Sequence, residues 1–110
     1  MNTNEKFQPI RKGLLEFLVL KIITAHEVYA ADILDTLSQT EFRTQEGTLY
    51  PLLSKMRRDG LLDYSWRESE SGPPRKYYQL TPKGVESLNE LKSYWKKIND
   101  TIQQIGKKSS

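Results

Sequence analysis

The 110-residue sequence contains no cysteine and one histidine, His26. Without thiols there is neither a disulfide framework nor a thiolate zinc site, and a lone imidazole gives no basis for a metal centre, so no metal or cofactor is expected. Long apolar runs are missing as well. The most hydrophobic segment, Leu14 to Ile23, is ten residues long and carries Glu16 and Lys21, too short and too charged to cross a bilayer. The opening MNTNEKFQPIRK lacks the apolar segment and small-residue cleavage site of a secretory leader. A cytoplasmic protein is the simplest expectation. There is also no glycine-rich phosphate loop and no G-x-S-x-G elbow, and the acidic pair Glu68 and Glu70 falls in a turn with no pocket to raise a pKa. An enzyme is not expected.

What the sequence does have is positive charge concentrated in its middle. The formal net charge is +3. Between Arg43 and Lys83 eight basic residues face five acidic ones, a difference of +3 that accounts for the whole excess. A chain of this length suggests one domain with a modest core. The distribution of charge, rather than its total, points to a polyanionic partner.

The basic segment contains EGTLYPLLSKMRRDGLL, residues 46–62. Leu49, Leu52, Leu53 and Met56 recur at i, i+3, i+4 and i+7, one apolar stripe of a helix. At about 100° per residue, Gly47, Pro51, Ser54, Lys55 and Arg58 fall on the opposite face, with Thr44, Thr48 and Tyr50 along its borders. That face is small, hydroxylic and basic, suited to close approach to a polyanion. Asp59-Gly60 stops the helix, and Thr44 is the expected N-cap. Pro51 has no local explanation, since mid-helix it deletes a hydrogen bond.

Upstream, residues 1–8 read as a loose, flexible arm, and Pro9 opens a helix over Ile10 to about Thr24 that is apolar nearly all round and needs burial on most sides. After the turn His26-Glu27, a second helix runs from about Tyr29 to Ser38 with Tyr29, Ile33 and Leu37 facing inward. This helix, a short connection and the basic helix together form a helix-turn-helix. Downstream, Leu62, Tyr64 and Trp66 alternate with polar residues, ESESGPP (68–74) is a turn cluster, and residues 75–80 alternate again. The result is a β-hairpin of about six residues per arm, a wing with Arg75 and Lys76 just past its tip. Thr81-Pro82 starts a final helix on which Leu88, Leu91, Trp95, Ile98, Ile102 and Ile105 form a 3.5-residue seam. Such a seam buries against another helix, so a homodimer is expected; a long helix folded back on its own domain is the competing reading. Gly106 is expected to end this helix, leaving 107–110 as a disordered tail. The fold class is therefore mainly α with a small β-hairpin: a winged helix-turn-helix over residues 9–81 and a dimerisation helix over 82–106.

Two motifs carry a family resemblance. GTLYPLLSKMRRDGLL and GPPRKYYQLTPKG, in that order, resemble the TLY–PLL helix with its acidic-Gly-Leu end and the Gly/Pro turn, RKYY strand and LTxxG helix start of the PadR family of bacterial transcriptional regulators, particularly the small subclass with one C-terminal helix. The resemblance runs from about Leu14 to Trp95, and the family helix also contains Pro51. It implies a dimer on a pseudo-palindromic, double-stranded DNA operator, usually a repressor. By motif, it places Thr48, Tyr50 and Lys55 at bases or backbone and Arg75 and Lys76 at phosphates. Ser54 and Arg58 join them from the basic face. It matches Tyr29 to an aromatic that touches the DNA backbone in the family, although Tyr29 fits a core position equally. It also implies that Trp95 lies at the dimer centre, where small flat aromatic effectors stack in multidrug-sensing members; a large seam residue is the competing reading. The N-terminus and the loop from Thr40 to Gln45 depart from the family pattern, so no operator sequence is carried over. A winged-helix protein-interaction module without an operator is the alternative, and Lys55, Arg57 and Arg58 speak against it because such a module needs no basic face.

Overall fold

A computed structural model describes residues 3–25 and 27–108. His26 of the expected turn lies outside the described residues, as do Met1, Asn2, Ser109 and Ser110. Helix α1 (Thr3–Lys6) is a single turn where an irregular arm was expected, and α2 (Gln8–Ala25) follows with Pro9 in its first turn. Val19, Leu20 and Ile23 bury one end of α2, whereas Ile10 near the other end is 57% exposed. Burial on most sides therefore holds only for the C-terminal half of this helix within one chain.

Helix α3 (Ala30–Ser38) begins beyond Tyr29, whose N–H donates to the Asp32 carboxylate at 3.2 Å. Ile33 and Leu37 face the core, as their spacing required. Helix α4 (Glu46–Arg58) buries Leu49, Leu53 and Met56, with Leu52 partly covered beside them. Its N-cap is Gln45 and not the expected Thr44. Starting at Glu46 leaves the Thr44 hydroxyl too far upstream to reach the first free helical N–H groups, and it donates to the Phe42 carbonyl at 2.8 Å. At the other end Gly60 takes φ 81°, and the N–H groups of Gly60 and Leu61 donate to the carbonyls of Arg57 (2.9 Å) and Met56 (3.0 Å), the left-handed stop predicted from Asp-Gly.

Strands β1 (Leu62–Ser69) and β2 (Gly72–Leu80) form an antiparallel ribbon in which Leu62 lies opposite Leu80, Tyr64 opposite Tyr78, Trp66 opposite Lys76 and Arg67 opposite Arg75. The hairpin is longer than the sequence suggested. Pro73 and Pro74 are tolerated because a two-stranded ribbon leaves an edge free on β2, and a register shift between Arg67 and Ser69 absorbs the irregularity. The turn shrinks to Glu70-Ser71, so Arg75 and Lys76 sit within the arm and not past the tip. Val28, just ahead of α3, exchanges backbone hydrogen bonds with Tyr78 (2.7 and 3.3 Å) and so ties the wing to the helix-turn-helix.

Helix α5 (Pro82–Lys108) starts as expected: the Thr81 hydroxyl accepts the Gly84 N–H at 3.0 Å while donating to the Gly60 carbonyl at 2.5 Å. A Cβ on Gly84 would lie 2.1 Å from the Leu61 carbonyl oxygen, so the end of α4 and the start of α5 close on each other only because this residue lacks one. Gly106 does not end α5, which continues to Lys108; Gly60 is the only described glycine with positive φ. Leu20, Ile33, Leu37, Leu49, Leu53, Met56 and Leu88 form the centre of one core that contains no charged side chain among the described residues.

Candidate nucleic-acid interface

Burying Leu49, Leu53 and Met56 turns the rest of α4 outward in two flanks. Gly47, Pro51 and Arg58 lie furthest from the core. Space around a Cβ on Gly47 is empty, so nothing within the chain demands glycine there. Because Pro51 has no N–H, the Gly47 carbonyl also lacks its helical donor and presents an acceptor at the outer surface. One flank faces the wing. There Tyr50 and Ser54 of α4, Trp66 of β1 and Arg75, Lys76 and Tyr78 of β2 line a groove of about 570 Å³, closed at one side by Tyr29. A smaller cleft next to it, lined by Ser54, Arg57, Arg58, Tyr64 and Lys76, continues the same surface.

Three cations of this surface, Arg57, Arg75 and Lys76, are held by aromatic rings. Arg75 lies 4.7 Å from the Tyr29 ring centroid, Arg57 4.5 Å from Tyr64, and Lys76 4.6 Å from Tyr64 and 5.4 Å from Trp66. A ring fixes the position of a cation through its quadrupole without neutralising it. The positive charge therefore stays available to an anion.

Thr48 and Lys55 occupy the other flank, beside α2. Thr48 lines a separate cleft with Arg11, Phe42 and Gln45. Lys55 forms ion pairs with Asp59 at 2.9 Å and Glu16 at 3.9 Å. The hydrogen bond from Lys55 holds the Asp59 carboxyl below its usual range, and the same bond, with Glu16 adding to it, raises the Lys55 ammonium above its own. Compensated in this way, Lys55 offers an approaching polyanion less than the ring-held cations do. Of the residues singled out from the sequence, the structure brings Tyr50, Ser54, Arg58, Arg75 and Lys76 together and sets Thr48 and Lys55 apart.

Two residues of this surface were given no contact role from the sequence. Trp66 is 61% exposed even though it sits on the apolar side of β1, because the hairpin outruns the core at that point. A long strand period with an aromatic after the last buriable position is the signal for it. Arg57, one residue before the face selected by helical geometry, reaches the wing by stacking on Tyr64. Tyr29 lines the groove and is not a core residue, while Tyr78 forms its floor, its phenol pushed up chiefly by burial.

The seam of α5 divides in two. Leu88 was expected at an interface but is only 2% exposed and belongs to the chain's own core, since α5 still packs on the domain at that point; Leu91 is partly covered. Further along, the helix leaves the domain. Trp95 is 41% exposed and Ile102 and Ile105 are 63% and 62% exposed. Ile10, Leu14 and Phe17 of α2 face Leu91, Trp95 and Ile98 across an apolar groove of about 300 Å³. Among the described residues there is no helix long and apolar enough to cross a membrane and no group of three metal-ligating side chains.

Residues 19–90 match the sequence model described as the transcriptional regulator PadR-like family. A PadR-like transcription factor from Bacteroides fragilis is 46% identical, with a TM-score of 0.79 over 93% of this chain and 98% of that one. A PadR-like regulator from Bacillus cereus is 38% identical, with a TM-score of 0.77 over 86% and 92%. A transcriptional regulator of Mycobacterium tuberculosis is 38% identical over 80 residues, 73% of this chain and 74% of its own.

Proposed function

Because the chain belongs to the PadR-like family of transcriptional regulators, we propose that it acts in the cytoplasm as a homodimer that reads a pseudo-palindromic operator with α4 and the wing and represses transcription. The observation that carries this reading is the groove between α4 and the hairpin, where Arg75 and Lys76 are held over aromatic rings with no carboxylate of the described residues paired to them, beside the outward Tyr50 and Ser54. Helix α4 supplies side chains to base edges, and the cations of the wing meet phosphates. Thr48, Lys55 and Arg58 extend the contact along α4 to the backbone.

The second copy follows from the uncovered seam. Trp95, Ile98, Ile102 and Ile105, with the exposed side of α2, form an apolar strip that a partner's equivalent surface covers. Two-fold symmetry then sets the two copies of α4 about 34 Å apart, one DNA turn. A dimer seated across a promoter blocks polymerase, hence repression. Trp95 at the rim of the apolar groove provides a flat surface for a small aromatic effector, which would relieve repression by favouring a dimer geometry that no longer matches the operator.

The test is selection of duplexes from a random pool, then fluorescence-anisotropy titration of the selected duplex and a scrambled one at two salt concentrations. The proposal expects tight, salt-dependent binding of the selected duplex with two chains per site, and a larger loss for Arg75→Ala than for Lys55→Ala. Equal, weak binding to both duplexes contradicts it.

A further inference from the structure

Arg67 and Arg75 lie directly opposite each other on β1 and β2, an arrangement that like charges disfavour. The structure resolves it with a ladder of side chains that alternate with Tyr64, Trp66, Lys76 and Tyr78 along the hairpin and end at the rim of the groove. Arg67 forms an ion pair with Glu27 and lies 4.9 Å from the Tyr77 ring centroid; Tyr77 meets Tyr29 edge to face at 5.4 Å; Arg75 lies over Tyr29 at 4.7 Å. The backbone explains the grouping. Val28 pairs with Tyr78 as an isolated antiparallel bridge, and both side chains go into the core. Alternation then sends Glu27 and Tyr29, on either side of Val28, to the same outer face as Tyr77, Arg67 and Arg75.

On this basis, and resting on the DNA-binding reading above, we propose that Glu27, Arg67, Tyr77 and Tyr29 are positioning residues: they fix the hairpin against the start of α3 and so set where Arg75 meets the DNA. Glu27 anchors the ladder. It draws Arg67 along the hairpin and away from Arg75, leaving the Arg75 guanidinium to Tyr29 and the groove. The Glu27 and Arg67 side chains are 36% and 51% exposed, so this ion pair adds little to the stability of the fold. Its effect is on geometry.

Charge alone and positioning make opposite predictions for Glu27→Gln. Removing a carboxylate near a DNA surface strengthens binding if charge is all that matters. Positioning predicts weaker binding to the selected operator duplex, by about three- to fivefold. Arg67→Gln is expected to weaken it by a similar factor without changing the slope of log K against log salt, and the double variant no more than either single one. Tighter binding by Glu27→Gln, or a slope reduced by about one in Arg67→Gln, overturns the proposal, the latter because it makes Arg67 a phosphate contact.

Amide exchange in the free protein supplies a readout independent of DNA. Both single variants are expected to speed exchange of the Val28 and Tyr78 amides at the bridge while leaving the α4 amides and the thermal midpoint unchanged. Unchanged exchange at the bridge overturns the ladder whatever the DNA does. Should the wild-type protein bind no duplex, the regulator reading fails at that step, and the exchange result still decides the ladder.

Discussion

Single residues fix the geometry at two points of the chain. Gly84 sits where a Cβ would lie 2.1 Å from the Leu61 carbonyl oxygen, backbone that cannot rotate aside. Gly84→Ala is therefore expected to destabilise the fold by about 2 kcal/mol or more, read as a lower urea midpoint with an unchanged slope. Asp59 works differently, because it is exposed and acts through Lys55. Its carboxyl is held below its usual 3.8, so whatever stability the contact contributes is present above that pH and lost as pH falls through the lowered folded value. The Lys55 ammonium is raised above 10.5, so its share is present below that pH and lost as pH rises through the higher folded value. Across neutral pH the pair stays charged and Lys55 stays compensated. Asp59→Asn is expected to release it and tighten DNA binding by about two- to fivefold, measured by anisotropy at low salt, with little change in thermal midpoint.

Among the elements, the wing is where sequence and structure diverge most. Helical spacing in residues 46–58 and the Thr81-Pro82 start signal were legible because each is a local pattern answered by local hydrogen bonds. The existence of the hairpin was legible as well, but its length and turn were not, because ESESGPP reads as a turn by composition while pairing across the ribbon carries its ends into both strands. Misplacing the turn put Arg75 and Lys76 at the tip and hid Trp66. The cation–ring contacts were invisible for the same reason, since they depend on register. The bridge to Val28 is equally non-local, and it docks Tyr78 into the core. Burial raises the Tyr78 phenol, so the folded state holds that proton more tightly than the unfolded chain and stability falls as pH climbs past the ordinary phenol value of 10.0. Ultraviolet difference titration is expected to show a late-ionising tyrosine that is lost in Tyr78→Phe and in denaturant.

The whole molecule measures 60 × 36 × 21 Å, elongated because α5 runs on beyond the core. The 3.5-residue seam was plain in the sequence, but where it changes function was not: Leu88 is spent on the chain's own core, and the free strip starts near Trp95. If the strip holds the proposed homodimer together, the wild-type protein is expected to sediment as two chains and Ile102→Asp, which places a charge in that strip, as one, with helicity retained. The central claim, that α4 and the wing form one DNA-reading surface, is tested most directly by mapping amide hydrogen exchange with and without the selected duplex. Slower exchange over residues 46–55 and in the hairpin around residues 66–76, with no direct protection along the outer part of α5, is the predicted result. Protection confined to α2 and α5, with α4 and the hairpin unchanged, would contradict the claim.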